Sequence, residues 1–194
     1  MNWINLERTL TQRGLRLFSP LELQGVLRVS AVAVSFLLHR YSRRGAVIKL
    51  RNGLYCLAIT KPTALAIANR LYAPSYVSFE SALAFHHLIP ETVYAVTSAT
   101  PRPTRTLDAV STTFEYHRIK RQAFTGYQPV KIGVETVLMA TPEKALADFL
   151  YFVDLRKKLP NDRLRIRSLA WPRVEAYLTL YRRASLTTLA RSLR

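Results

Sequence analysis

Residues 19–58 read SPLELQGVLRVSAVAVSFLLHRYSRRGAVIKLRNGLYCLA, and the order of signals in this stretch decides the fold. Ser19-Pro20 is a helix start, a capping hydroxyl followed by a proline in the first turn. The short helix behind it, 20–27, carries Leu21, Leu23, Val26 and Leu27 and stops at Arg28-Val29. Ser30 caps a second helix over 31–44, which ends at Gly45, a residue suited to the left-handed C-terminal position. Two helices joined by so short a turn make a helix-turn-helix. Asn52-Gly53 between two β-rich runs then predicts a hairpin over 46–58, because both residues tolerate positive φ. Helix, turn, helix and basic hairpin, in that order, predict a winged helix.

Within the second helix Val34, Leu37, Leu38 and Tyr41 share the inner face. Ala31, Ala33, Phe36, Arg40 and Arg43 point broadly outward, with Ser35 and His39 flanking them. Small residues at the N-terminal end let a backbone enter the major groove, and cations further along meet phosphates. Ser30, Ala33, Ser35, Phe36, His39 and Arg40 are therefore the expected groove-facing residues, with Arg43, Lys49, Arg51 and Asn52 on phosphates or beside the wing. The competing reading is a small helical subdomain with a solvated charged face.

The charge supports a polyanionic partner. The 194 residues carry 29 Lys and Arg against 12 Asp and Glu, a net charge of +17, and 49% are apolar, enough for a packed core. Residues 1–60 hold +7, residues 61–155 only +1, and residues 156–194 hold +9. Arg156, Lys157, Lys158, Arg163, Arg165, Arg167, Arg173, Arg182 and Arg183 form a possible second basic surface, reaching flanking DNA or an acidic or RNA partner. A solvated basic helix face is the plain alternative.

The longest apolar run, Val29–Leu38, is far short of the ~17–25 residues of a membrane span, and Met1–Leu10 lacks the pattern of a signal peptide. Cys56 is the single cysteine, which excludes an internal disulfide or a cysteine metal cage. A cytoplasmic, reducing compartment is expected.

Beyond a junction at Thr60–Pro62, patterning predicts helices near 63–72 and 78–87, strands near 93–98, 112–119 and 130–139, and helices near 142–153, 173–183 and 185–193. Val130, Ile132, Val134 and Leu138 alternate with Lys131, Gly133 and Glu135, as on a half-buried strand. Leu146, Phe149, Leu150 and Val153 form a helical stripe, and Leu186, Leu189, Ala190 and Leu193 another, so the tail should dock as a helix. The fold class is α+β, with domains at 1–60 and 61–194: a winged helix-turn-helix followed by a mixed α+β unit.

Four blocks resemble one family. RRGAVIKLRNGLYCLA (43–58), YVSFESAL (76–83), VYAVTS (93–98) and TPEKALAD (141–148) are similar, in order and spacing, to AbiEi-type antitoxins of bacterial type IV toxin–antitoxin systems. The likeness covers roughly 18–153. It implies a repressor that binds inverted repeats in double-stranded DNA upstream of its own operon. It also implies a C-terminal domain that counteracts a nucleotidyltransferase-like toxin, usually without a stable complex. Inverted repeats place two copies on DNA, as a dimer or by cooperative assembly. Phe36 departs from the polar or basic residue more usual in relatives: an aromatic there either touches thymine methyls or packs under another element. The alternative within the family is an antitoxin that holds its toxin directly.

Enzyme chemistry finds no constellation. His86-His87 are adjacent on an expected helix, so their side chains diverge and one is expected partly buried, the other exposed. No H-E-x-x-H or Cys/His pairing joins His39 or His117 to them, and no metal or cofactor is implied. Glu115 and Lys120, with Asp108, lack the spacing of a nuclease strand. Glu143 and Asp148 read as a helix-start charge and a helix-surface or second-domain contact, and Cys56 as an inert buried thiol.

Overall fold

The computed structural model describes residues 3–193 and is mixed α+β. The first unit runs α1 (Trp3–Gln12), β1 (Leu17–Phe18), α2 (Pro20–Leu27), α3 (Ala31–Arg43), β2 (Val47–Arg51) and β3 (Leu54–Leu57). Ser19 closes a full capping box at the start of α2: its hydroxyl accepts from the Glu22 backbone, and Glu22 accepts from the Ser19 backbone. Arg28 ends α2 in the left-handed region (φ +52), and Ser30 caps α3 through the Ala33 N–H at 3.2 Å. The two helix axes meet at 111°. Only Gly53, at φ +77, uses the left-handed region in the hairpin turn; Asn52 does not. Strand β1, too short to show an alternation, adds to the free edge of β3 and gives the order β1-β3-β2.

The second unit contains α4 (Ala64–Leu71), β4 (Tyr76–Val77), α5 (Phe79–Phe85), β5 (Val96–Thr100), β6 (Arg105–Ala109), β7 (Thr112–Arg118), β8 (Tyr127–Ile132), β9 (Glu135–Ala140), α6 (Pro142–Asp154), α7 (Trp171–Thr179) and α8 (Ala184–Ser192). Its sheet runs β6-β7-β5-β4-β9-β8, with β5/β7 and β4/β9 parallel and the other pairs antiparallel. No single helix among the described residues is long and apolar enough to cross a membrane.

Three sequence expectations are corrected. The single strand over 130–139 is a hairpin, turned at Gly133 (φ +58). The turn reverses the alternation, so Val137 and Met139 are buried whereas Val134 and Leu138 are exposed. The strand expected at 93–98 begins at Val96, and β6 went unread because its five residues are nearly all polar or half-buried. The helix expected to reach 87 stops at Phe85, and His87 sits beyond it at φ +58.

Two apolar clusters hold the chain. Leu6, Leu10, Phe18, Leu23, Val34, Leu38, Tyr41, Val47 and Leu57 pack inside the first unit. The far side of its hairpin, Leu50, Leu54 and Cys56, belongs to the larger cluster of the second unit. The hairpin is thus a wall common to both. Arg70 on α4 reinforces the joint by pairing with Glu22 at 2.6 Å, and this guanidinium together with the Ser19 cap holds the Glu22 carboxyl below its usual range against the opposing effect of burial.

Helix α6 is buried on nearly every side, from Lys144 to Phe152. Asp148 is therefore no helix-surface residue: it is wholly buried and ion-paired with Lys144 one turn before it. The same carboxylate accepts from Tyr76 Oη (2.9 Å), Ser78 Oγ (2.7 Å) and Tyr181 Oη. Lys144 Nζ also donates to Tyr181 Oη at 3.1 Å. Burial, followed by the Asp148 charge, drives the Tyr76 and Tyr181 hydroxyls well above the ordinary tyrosine range, so both remain donors. Gly126 (φ +75) completes the site, because a Cβ there would stand 2.6 Å from the Tyr177 ring.

Removing one partner of a buried pair strands the other charge. Asp148→Ala should cost roughly 3–5 kcal/mol in chemical denaturation, and a Lys144→Met/Asp148→Leu double variant much less. A double variant as unstable as Asp148→Ala would refute this account.

Candidate nucleic-acid interface

Helix α3 presents two different faces. Val34, Leu38 and Tyr41 are buried and Leu37 half-buried, as the spacing predicts. Opposite them lie Val32 (65% exposed) and Phe36 (72% exposed), with His39 and Arg43 also exposed. Phe36 therefore packs under no other element. Val32 was missed by sequence reading, where it looked like one more member of an apolar run. Ser30 spends its hydroxyl on the helix cap, and Ala33 is turned sideways and half-buried. Arg40 is exposed but held along its neighbour, donating to Tyr41 Oη at 3.0 Å with its guanidinium 4.8 Å from the ring centre.

Five of the ten residues expected to contact DNA line two separate depressions, and Ser30, Ala33, Phe36, Arg40 and Arg43 line neither. Ser35 and His39, with Ala31 and Ser42 a turn to either side, face Lys49 and Tyr55 of the hairpin across a groove of about 390 Å³. Arg51 and Asn52 instead line a cleft of about 340 Å³ against the second unit, beside Tyr72, Arg102 and Arg105. An irregularity in the β2–β3 register between Lys49 and Arg51 separates the two cations. Arg102 donates to the Ala73 carbonyl at 2.7 Å, and its guanidinium covers the Tyr72 ring at 4.3 Å. Arg102 and Arg105 carry no sequence signal, because they fall in the nearly neutral middle of the chain. Tertiary packing alone brings them to the hairpin tip.

The basic tail is partly neutralised. Lys158 is nearly buried against Glu80 (2.6 Å), Arg163 lies 3.5 Å from Glu91, and Arg183 pairs with Asp154. That guanidinium, with a hydrogen bond from Ser185, holds the Asp154 carboxyl below its usual value despite burial. Among the described residues Arg156, Lys157, Arg165, Arg167 and Arg182 make no ion pair and are exposed. Arg156, Lys157 and Arg183 gather at the C-terminal end of α6, where the helix dipole favours cations.

Groups with chemical potential elsewhere are committed to structure. His86 Nε2 meets the Ala140 carbonyl at 2.9 Å while His87 is exposed, the division expected for that pair. Lys120 donates to the Tyr181 carbonyl, and Asp108 accepts from Thr113 at 2.7 Å. Burial pushes the Cys56 thiol up to about 11. No group of three or more potential metal ligands occurs among the described residues. No protein-family model matches the chain, and no curated protein matches it.

His117 lies between the rings of Phe79 and Phe152, at 5.0 and 5.2 Å. Its Nε2 has no hydrogen-bond partner, since Glu115 Oε2 at 3.4 Å lies outside hydrogen-bonding geometry. Burial, aided by Lys158 and Lys157, lowers its pKa from 6.5 to about 4. The unfolded chain thus binds the extra proton first as pH falls. Stability from this site is complete above pH ~6.5 and is lost down to pH ~4, amounting to about 3 kcal/mol. Urea melts should show the wild type losing that much more than His117→Phe across this window. Parallel losses would refute the assignment.

Proposed function

We propose that this chain is a DNA-binding transcriptional repressor of the AbiEi antitoxin type, with residues 1–60 forming its winged helix. The observation that carries the DNA reading is the outer face of α3, exposed beside a basic hairpin, the helix being the second of a pair set at 111°. From Ala31 to Leu57 there are five Lys and Arg and no acidic residue, so nothing on these elements repels phosphate. Helix α3 enters the major groove, and Arg43 and Lys49 meet the flanking phosphates. Arg51, with Arg102 and Arg105, continues the basic surface toward the second unit. The hairpin's packing into the second core supports a fixed angle between wing and helix, so little ordering remains for DNA to impose.

The operator is an inverted repeat upstream of the chain's own operon, occupied by two copies. The antitoxin half, opposition to a nucleotidyltransferase-like toxin, is supported by the likeness of the four sequence blocks. TPEKALAD contributes Lys144 and Asp148 to the buried network, and YVSFESAL contributes Tyr76 and Ser78. Those blocks therefore serve the scaffold of the second unit.

In fluorescence-anisotropy titrations on the upstream fragment, Arg43→Ala and Lys49→Ala should each weaken binding to all sequences alike. Each should lower the slope of log K against log salt by ~0.9. Unchanged binding by the double variant would overturn the docking. For the tail, Arg156, Lys157 and Arg182 changed together to Gln should lower the slope further if that surface touches flanking DNA. Truncation is unsuitable, because Tyr181 and Leu186 are core residues.

A further inference from the structure

The outer face of α3 is apolar where a base-reading helix ordinarily offers amides or guanidinia. Val32 and Phe36 stand four residues apart, 65% and 72% exposed, on the side opposite the buried stripe. Before His39 the helix has Ser35 as its one polar side chain, and the Ser30 hydroxyl is taken by the cap. The first two turns thus hold no Arg, Asn or Gln to make bidentate bonds to guanine or adenine. An apolar side chain in the major groove finds one apolar group on any base edge, the C5-methyl of thymine.

A protein partner is disfavoured by the surroundings. The same helix and the hairpin supply Arg40, Arg43, Arg44, Lys49 and Arg51 with no carboxylate among them, a charge distribution complementary to a phosphate backbone. Four residues rise about 6 Å along the helix, so together the two side chains reach across roughly two base-pair steps of ~3.4 Å.

We propose that Phe36, with Val32 beside it, reads thymine methyl groups, and that each half-site carries thymines under the first two turns of α3. This rests on the DNA-binding reading above and specifies which bases that surface selects. Phe36 is the specificity-determining residue; Ser35, His39 and Lys49 across the neighbouring groove serve register and affinity.

The test uses the full chain and two versions of its upstream fragment, one natural and one with deoxyuridine replacing thymidine in the protected half-sites. Deoxyuridine removes the methyl and keeps every hydrogen-bonding group. Wild-type protein should bind the deoxyuridine fragment about fourfold more weakly for each methyl lost from the contact. Phe36→Ser should lose most of the preference and Val32→Ser/Phe36→Ser all of it, whereas Phe36→Leu should keep a larger part. Both side chains are exposed, so thermal melts of all three variants should match the wild type. Equal wild-type affinity for the two fragments overturns the inference while leaving DNA binding intact. So does undiminished discrimination by Phe36→Ser, or a loss by Phe36→Ser that is equal on both fragments. Failure of the wild type to prefer the natural fragment over unrelated DNA overturns the DNA-binding reading itself, and this inference with it.

Discussion

The buried ion pair between Lys144 and Asp148 constrains the rest of the second unit. A charge pair removed from water is tolerated only when its remaining hydrogen-bonding capacity is filled. Here Tyr76 and Ser78 come from β4 and its exit, and Tyr181 comes from the turn after α7. Three segments must therefore converge before the pair is fully satisfied. Strand β4 is only two residues long, yet it sits in the middle of a six-stranded sheet. Its place is secured by the side-chain bonds to Asp148 as well as by its backbone ladder. Phe79, next in the chain, is wholly buried at φ +53, a strained conformation for an aromatic residue. The bonds that Ser78, Ser81 and Thr97 make around it hold that backbone in place.

From this core the constraint passes outward through the hairpin. Its inner side chains divide between two clusters, with Val47 and Leu57 in one and Leu50, Leu54 and Cys56 in the other. A hairpin attached only to its own helices could pivot; one packed into a second core cannot move without opening that core. Within the second unit, Glu135 at the start of β9 fixes the beginning of α4, where the chain leaves the hairpin, by accepting from the Thr63 backbone (2.9 Å) and hydroxyl (2.7 Å). The surface proposed to meet DNA is thus carried on a rigid frame, which favours recognition by a preformed shape.

Much of the first unit was legible in the sequence. Ser19, Pro20, Ser30 and Gly45 bound two helices whose apolar spacing identifies the buried stripe, and the structure has those bounds to within a residue. The outward face was legible as a direction but not as a surface. Arg40 lies along Tyr41, Ala33 turns aside, and Lys49 and Arg51 part company at a register irregularity. In the second unit the stripes of α6 and α8 and the helix-start charge of Glu143 were legible, but Lys144 gave no sign of burial and Asp148 was open between the helix surface and an internal contact. A helix with one visible apolar stripe suggests a wet opposite side. Only packing on several sides at once puts Lys144 and Asp148 in the interior.

The sequence by itself determined the order and bounds of the local elements, because caps, turn residues and side-chain periodicity act within a few residues along the chain. It also determined that the ends carry the positive charge. Tertiary structure alone decided which side of β9 is buried, since a turn at Gly133 reverses an alternation that would otherwise continue unbroken. It alone brought Arg102 and Arg105 beside Arg51 and gave Asp148 its partners on β4 and beyond α7. Those contacts join residues far apart in the chain, and their geometry follows from how the sheet and helices pack together.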